Sequence, residues 1–370
     1  MSTTAVKFNL QDKPEFVKEL RKRVNQYFKD NNISKHANLN MVIKTVVMIS
    51  LYFVPMILLL TNTVSGIAPV LLMWVIMGFG MSGIGTSIMH DANHGAYSQN
   101  PRINQLLGFI VNFVGGYHIT WKIQHNVLHH SFTNVHGHDD DIDTFAIRLS
   151  PDQDRKKFHR FQAFYAVFFY SLMTLYWMTA KDFINLAKYN KEGLIEGQGL
   201  TLRKALVQVA FHKIWYYVLT LVLPLMLINV PWYITILGFV IMHVICGLFL
   251  ALVFQTAHVV EQTSFFAPDE EGSLENNWAI HQVLTTANFG KKSLFFSWFI
   301  GGLNYQIEHH LFPNICHVHY KKLSPIVEQT AKEFNLPYHQ YETFMEALSS
   351  HFKMLYQLGT GSIDQKLVQA

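Results

Sequence analysis

The stretch IAPVLLMWVIMGFGMSGIGTSIMHDANH, residues 67–94, is uncharged from Ile67 to Met89 and then delivers His90, Asp91 and His94. At 1.5 Å of rise per residue, about 20 apolar residues carry a helix across the hydrocarbon core of a bilayer. The segment therefore predicts a transmembrane helix that ends in a pair of histidines. WYITILGFVIMHVICGLFLALVFQTAH, residues 232–258, has the same form, apolar through Gln255 and ending at His258. Runs at Met41–Leu60 and Ala210–Ile228 precede the two and turn each into a hairpin.

The hairpin turns, Thr61–Gly66 and Asn229-Val230-Pro231, carry no charge, whereas a basic segment precedes the first hairpin and Arg203, Lys204 and Lys213 flank the start of the second. Positive residues stay on the cytoplasmic side. Both hairpins then return their histidines, His90 and His258, to the cytoplasmic face. Composition agrees: of 370 residues 50% are hydrophobic and 15% charged, well below the quarter charged that is usual in soluble domains. The net charge of +4 is small and its cations are not interleaved with aromatics as a nucleic-acid surface would require. With only Cys246 and Cys316, neither a disulfide framework nor a thiolate cage is available.

Pro14–Asp30 reads as an amphipathic helix, with Phe16, Leu20, Val24 and Tyr27/Phe28 on one face, either lying on the membrane or packed on the soluble part. Ile103–Tyr117 is short and glycine-rich, which suits a shallow or re-entrant placement. Phe161–Ala180 is long enough to cross, but a lone crossing there would put His125–His130 and His258 on opposite sides. Its tyrosines and Trp177 suit an interfacial helix lying along the membrane. The motif Gly78-Phe-Gly-Met-Ser-Gly83 matches a dinucleotide fingerprint, but inside an apolar span it predicts close helix packing. The expected architecture is an all-α integral membrane protein with four transmembrane helices as two hairpins. A helical cytoplasmic cap, residues 131–204 and 259–370, holds the histidine site. The expected division is an amphipathic segment over 1–40, a membrane and catalytic domain over 41–313, and a helical C-terminal part of the cap over 314–370.

Two further histidine groups complete the pattern, His125-Asn-Val-Leu-His129-His130 and Gln306-Ile-Glu-His309-His310. On an α-helix His90 and His94 share a face, His125 and His129 repeat that relation, and His130 points to an adjacent face. Any single His-x-x-x-His is common by chance in a chain with twenty histidines; three groups, each beside an apolar segment, are not. Seven histidines plus His258 exceed what one metal uses. Imidazoles without thiolate suit Zn, Cu, Fe or Ni. Catalytic zinc needs three protein ligands and a water, so eight imidazoles point to a pair of irons. No Glu-x-x-His occurs, so the carboxylate-bridged di-iron pattern of soluble bundles does not apply.

The order HDxxH, HxxxHH, QxxHH resembles the membrane fatty-acid desaturases, and the third box resembles their front-end type, in which glutamine stands for the first histidine. Asn134 and Asp139–Ile142 after the second box, and Trp278, Gln282, Thr286 and Asn288 before the third, match as well, so the resemblance spans roughly Met89–Pro313. It implies two iron ions held by His90, His94, His125, His129, His130, His258, His309 and His310, with Gln306 as ligand or near-ligand, and O₂ as co-substrate. The implied reaction is O₂-dependent desaturation of a fatty acyl-CoA or acyl-lipid, setting a cis double bond toward the carboxyl end. The His-Pro-Gly-Gly motif of a fused cytochrome b5 domain does not occur. Electrons are then expected from a separate cytochrome b5 or ferredoxin, and the expected setting is a bacterial inner membrane. Where stearoyl-type enzymes carry an amide before the fourth-span histidine, Phe254 stands at the equivalent offset and Gln255 one residue closer.

Asp91, Glu308, Glu261 and Asp139–Asp143 are candidates to accept the second ring N–H of ligating histidines, and Trp278 and Gln282 to support the third box or touch substrate. His118, His136, His138, His281, His317 and His319 are read as surface or supporting residues, and His212 and His243 as packing residues. The alternatives are a lipid hydroxylase on the same di-iron site, a zinc-dependent membrane hydrolase, and a metal transporter whose ligands would lie near the bilayer midplane.

Overall fold

Pro14 sits in the first turn of α1 (Pro14–Asp30), where its missing N–H costs nothing. Phe16, Leu20 and Val24 are buried along one side of α1. They share a core with Leu323, Val327 and Ala331, so the amphipathic segment packs on the protein itself. Arg23 fastens the same side, donating to Glu19 at 2.9 Å and to Glu333 at 2.6 Å.

In this computed structural model residues 6–363 are described, and the chain is mostly helical. Among the described residues, strand is confined to two short parallel pairs, Lys7–Phe8 with Ser273–Leu274 and Asn288–Phe289 with Gln340–Tyr341. Asn38 accepts from Met41 N–H at 3.2 Å to start α2 (Leu39–Leu60). α3 (Ile67–Asn93) follows after a tight turn. Next come α4 (Pro101–Phe109) and α5 (residues 118–132). α6 (Lys157–Ser171) and α7 (Met173–Lys191) precede the second hairpin, α8 (Leu202–Leu227) and α9 (Trp232–His258). The C-terminal third adds α10 (Trp278–Leu284), α11 (Gln306–Leu311), α12 (Tyr320–Glu333) and α13 (Phe344–Thr360).

α2, α3, α8 and α9 are long and apolar enough to cross a bilayer, which makes this a multi-pass membrane protein. Three contain the whole run expected from the sequence, and α8 starts eight residues before its run and stops one short of Ile228. Residues such as Val42, Val46, Ile57, Leu72 and Phe211 stay exposed, as lipid-facing positions should. The chain forms two compact units: a membrane unit of Ala37–Ile123 and Val167–Leu252, and a second unit of the segment up to His36, Gln124–Ala166, and Val253 onward.

Within the membrane unit the glycine motif of α3 is a packing seam. A Cβ on Gly80 would come within 2.6 Å of the Leu51–Tyr52 backbone, and one on Gly78 within 3.0 Å of the Met242 carbonyl. α3 is thereby drawn against both α2 and α9, the small-residue packing that membrane helices use. A buried cation ties the other side: Lys213 Nζ donates to the Gly115 and Trp177 carbonyls at 2.7 Å and to Asp182 at 2.5 Å. Asp182 also accepts from Thr120 and from Trp177 Nε1. A buried charge survives here because every donor has an acceptor.

Phe161–Ala180 departs from the expected single interfacial helix. It is divided at Leu172, and α6 and α7 meet at a 55° bend. Ser171 returns its hydroxyl to the Phe168 carbonyl at 2.7 Å, and Leu172 N–H is shared between the Phe168 and Phe169 carbonyls. Such local competition for the helix ladder bends it. Ile103–Tyr117, in turn, becomes the second part of α4 followed by a 3₁₀ turn at Ile110–Val114.

Candidate metal centre

Two of the three histidine boxes follow or occupy widened helical turns. Ile84–Ile88 of α3 and Ile123–His129 of α5 are π-helical, with i→i+5 hydrogen bonds. In α5 this changes which histidines align. His125 and His130, five apart, bring their Nε2 atoms to 3.3 Å, and the His125 ring also stacks on that of His129 with centroids 5.4 Å apart. His125 and His129 keep the neighbouring relation expected of them, and the π turn adds His130, expected on an adjacent face, because it brings i and i+5 together.

The two consecutive pairs, His129–His130 and His309–His310, each contribute to two overlapping clusters, which meet where the His130 ring stacks on that of His310 at 4.4 Å. Consecutive helix residues point about 100° apart, so each pair serves both. In one cluster His130 Nε2 lies 2.9 Å from His309 Nε2 and 3.3 Å from His125 Nε2. In the other, ligand atoms of His129, His258 and His310 all lie within 4.8 Å of one another. All six imidazoles are buried, none more than 5% exposed.

The hydrogen bonds of the second cluster fix its chemistry. His258 Nδ1 faces the Thr285 carbonyl at 3.2 Å and His129 Nδ1 faces both oxygens of Asp139 at 3.1 Å. Carbonyls and carboxylates only accept, so both protons sit on Nδ1. His310 Nδ1 likewise donates to Gln282 Oε1 at 2.8 Å. The three Nε2 atoms are left as lone pairs, buried and without a hydrogen-bond partner among the described residues. Bare acceptors in a buried site are costly, and three converging lone pairs are what a cation satisfies. In the first cluster, nitrogens at 2.9–3.3 Å need a proton or a cation between them. Ligands on metal–nitrogen bonds of about 2.1 Å stand at about this spacing. The residues present fit a metal.

Electrostatics agrees. Burial, then the imidazoles of His130, His258, His129 and His125, hold His310 well below the usual histidine range, in the neutral form that ligation needs. For His129 burial is the largest influence and opposes charge, yet Asp139 and then Asp141 raise it above its usual value. Burial pushes Asp139 up, but His129 and the backbone N–H groups of Asn134 and Asp141 bring it below the usual carboxylate range. Asn134 takes a left-handed φ of 57° in this turn. Its side chain donates to the His258 carbonyl at 2.8 Å, joining the second box to the end of α9.

Each remaining sequence candidate has a definite place. In the membrane unit, His90 and His94 stand with ring centroids 4.8 Å apart, both edge-on to Trp121, and an Asp91 oxygen is 3.7 Å from His90 Nδ1. Gln306 is buried at the start of α11, and its Nε2 has no hydrogen-bond partner among the described residues. Trp278 Nε1 donates to the His130 carbonyl at 3.0 Å, and Gln282 accepts from Thr133 as well as His310. Phe254 meets His125 edge-on at 5.8 Å, and Gln255 donates to the Asp141 carbonyl. Glu308, raised by burial, accepts from Tyr338 at 2.7 Å and Asn288 at 2.9 Å rather than from a ring N–H. Glu261 pairs with Lys353.

Thr133, Thr285, Tyr320 and Tyr338 were not singled out from the sequence. Tyr320 OH lies 3.2 Å from His309 Nδ1, and Thr285 acts through its carbonyl. A threonine three residues past the second box carried the only readable signal; the others arrive from distant segments. His281 Nε2 donates to the Thr133 carbonyl and His319 Nε2 to the His36 carbonyl. Within the membrane unit His118 contacts Asn112, and His212 accepts from Trp215 Nε1.

Four helices able to cross a membrane and buried imidazole clusters compatible with a metal site define a histidine-rich membrane protein. The chain belongs to the fatty acid desaturase family, whose model matches residues 65–342. It is similar to an sn-1 linoleoyl-lipid 6-desaturase of Synechocystis sp., 36% identical over 365 residues, covering 97% of this chain and 99% of that one. It is 33% identical to a protein of the same name from Arthrospira platensis, over the whole of both chains. An acyl-lipid (8-3)-desaturase of Physcomitrium patens is 36% identical over 93% of this chain and 72% of that one. The chain is therefore an oxidoreductase that introduces a double bond into fatty acyl chains of lipids.

Proposed function

We propose that this enzyme desaturates an acyl chain carried on a membrane lipid, placing the new cis double bond on the carboxyl side of an existing one. Linoleoyl-lipid is the substrate class that fits best. The names of its relatives support the carrier and the position, and Gln306 in the third box supports the front-end type. The proposed ligands are His90, His94, His125, His129, His130, His258, His309 and His310 with Gln306, and the proposed metal is a pair of irons. When bound and reduced, the irons would supply O₂ activation, so that two hydrogens leave adjacent methylenes and, with two electrons and two protons, O₂ ends as two waters. The electrons come from a separate cytochrome b5 or ferredoxin, and the site lies on the cytoplasmic side.

The chain's own contribution is orientation and exclusion of water. Asp139, the Thr285 carbonyl and Gln282 hold protons on Nδ1 of His129, His258 and His310, so that each Nε2 stays open toward the cluster centre. Burial favours the neutral form of His310 and keeps bulk water out.

The convergence of three bare Nε2 atoms carries this reading. Purified protein is expected to contain two irons per chain. Expression with a competent electron donor in a host supplied with linoleate is expected to yield a lipid-linked product two hydrogens lighter, with the new bond near the carboxyl end by mass spectrometry after derivatisation. Stoichiometric zinc, or a product heavier by one oxygen, would replace it with hydrolytic or hydroxylating chemistry.

A further inference from the structure

Between the second histidine box and α7 lies Arg155-Lys-Lys-Phe-His-Arg-Phe161, the densest cationic run outside the N-terminal helix. Arg155 is tied to the Thr360 carbonyl. Lys156, Lys157 and Arg160 are exposed and have no ion-pair partner among the described residues, although Asp152 and Asp154 stand just before them. The rings between the cations are exposed too: Phe158 is 40%, Phe161 53% and Phe164 81% accessible. At i, i+3 spacing they recur along one side of the helix. Lys156 Nζ lies 3.6 Å above the exposed ring of Phe145, and Arg160 4.9 Å from that of Phe161.

Exposed rings are unfavourable in water, whereas the cations beside them are content there, so the surface as a whole suits neither bulk water nor an apolar phase. The boundary between lipid and water accommodates both, rings at acyl level and cations at phosphate level. The sequence marks that boundary here, since no charge follows Arg160 until Lys181. The apolar helix that follows is one arm of the bent pair able to enter a membrane. A soluble phosphate would account for the cations but not for three bare phenylalanines.

We infer that Lys156, Lys157 and Arg160, with Phe158, Phe161 and Phe164, form a binding site for the headgroup of an anionic phospholipid. The lipid is an anchor and not the chain being desaturated, and the assignment does not depend on what the histidines hold. Each basic residue near an anionic membrane surface is worth about 1 kcal/mol, or about fivefold in occupancy.

Native mass spectrometry of the full-length protein, released from mixed micelles of equimolar phosphatidylglycerol and phosphatidylcholine, tests it. Phosphatidylglycerol is expected to be retained preferentially. K156Q/K157Q/R160Q is expected to reduce that preference by about tenfold or more, whereas K156R/K157R keeps it; an unchanged melting temperature shows that both variants fold. F161S/F164S is expected to lower total lipid retention while leaving the headgroup preference. Equal retention of the two lipids by the unaltered protein, or an undiminished preference in the neutralised variant, overturns the assignment. So does displacement of phosphatidylglycerol by millimolar inorganic phosphate, which makes this a soluble-anion site. A neutralised variant that keeps its lipid but loses turnover with an acidic electron-donor protein reassigns the surface to protein docking.

Discussion

α9 carries two buried histidines, His243 in its middle and His258 at its end, and they lead opposite lives. His243 is saturated: its Nε2 meets Tyr216 OH at 2.9 Å and its Nδ1 meets Thr174 Oγ1 at 3.2 Å. His258 is bonded on one side only, at Nδ1, with its Nε2 left open beside His129 and His310. Burial is the same; valence is not. A histidine with both nitrogens satisfied is a cross-brace, and one with a lone pair held open among others is a ligand in waiting. The comparison can be broken by substituting along it.

The largest effect is expected at the open end. His258→Ala should abolish desaturation, a loss on the order of a hundredfold or more, since even residues behind the ligands are worth 10- to 100-fold. Iron should fall from two per chain toward one while the protein still accumulates in the membrane. Full iron content in that variant would remove His258 from the ligand set.

Next comes the residue behind a ligand. Asp139→Asn retains shape but loses the charge that faces His129 Nδ1 and accepts from two backbone N–H groups. A loss of about 10- to 100-fold in activity or metal affinity is expected, read as a lowered chelator concentration for half-loss of iron. An unchanged chelator midpoint would show that Asp139 only shapes the turn.

How much of this was legible beforehand follows from the same contrast. The spans and their histidine-bearing ends were readable, because membrane helices obey length and charge rules that a single segment displays. So was the packing role of Gly78–Gly83. The approach of His130 to His125 was not, since it depends on a π turn that no local residue preference announces. Nor was the bend at Leu172, which arises from one serine competing for a carbonyl. Thr285 was invisible as a support because its carbonyl, not its side chain, does the accepting. Glu308 looked like a histidine partner by adjacency, but helix geometry turns it toward Tyr338 and Asn288.

A pH experiment sharpens the comparison away from the metal. His351 on α13 donates Nδ1–H to the Val259 carbonyl at 2.8 Å, and burial pushes it down to about 4. Its folded value lies below its unfolded one, so the unfolded chain takes up the proton first as pH falls. Stability from this residue is intact above about 6.5 and is lost progressively down to about 4, a total of about 3 kcal/mol. Melting temperature should therefore drop between pH 7 and 5. His351→Asn keeps a donor near the same place without titrating, and should flatten that slope; an identical slope assigns the drop to other buried histidines such as His281.

The smallest effect belongs to the saturated partner of the comparison. His243→Ala strips Tyr216 OH and Thr174 Oγ1 of one partner each, although Thr174 keeps its bond to the residue 243 carbonyl at 2.8 Å and so holds α7 to α9. Leaving a buried hydroxyl short of a partner costs about 1–3 kcal/mol, which should appear as a lower melting temperature. Iron content and turnover per folded molecule should stay where they were, because no lone pair is removed from either cluster. If iron fell with His243 as it does with His258, hydrogen-bond saturation would not separate braces from ligands in this helix. The open Nε2 of His258 would then lose its standing as evidence for metal.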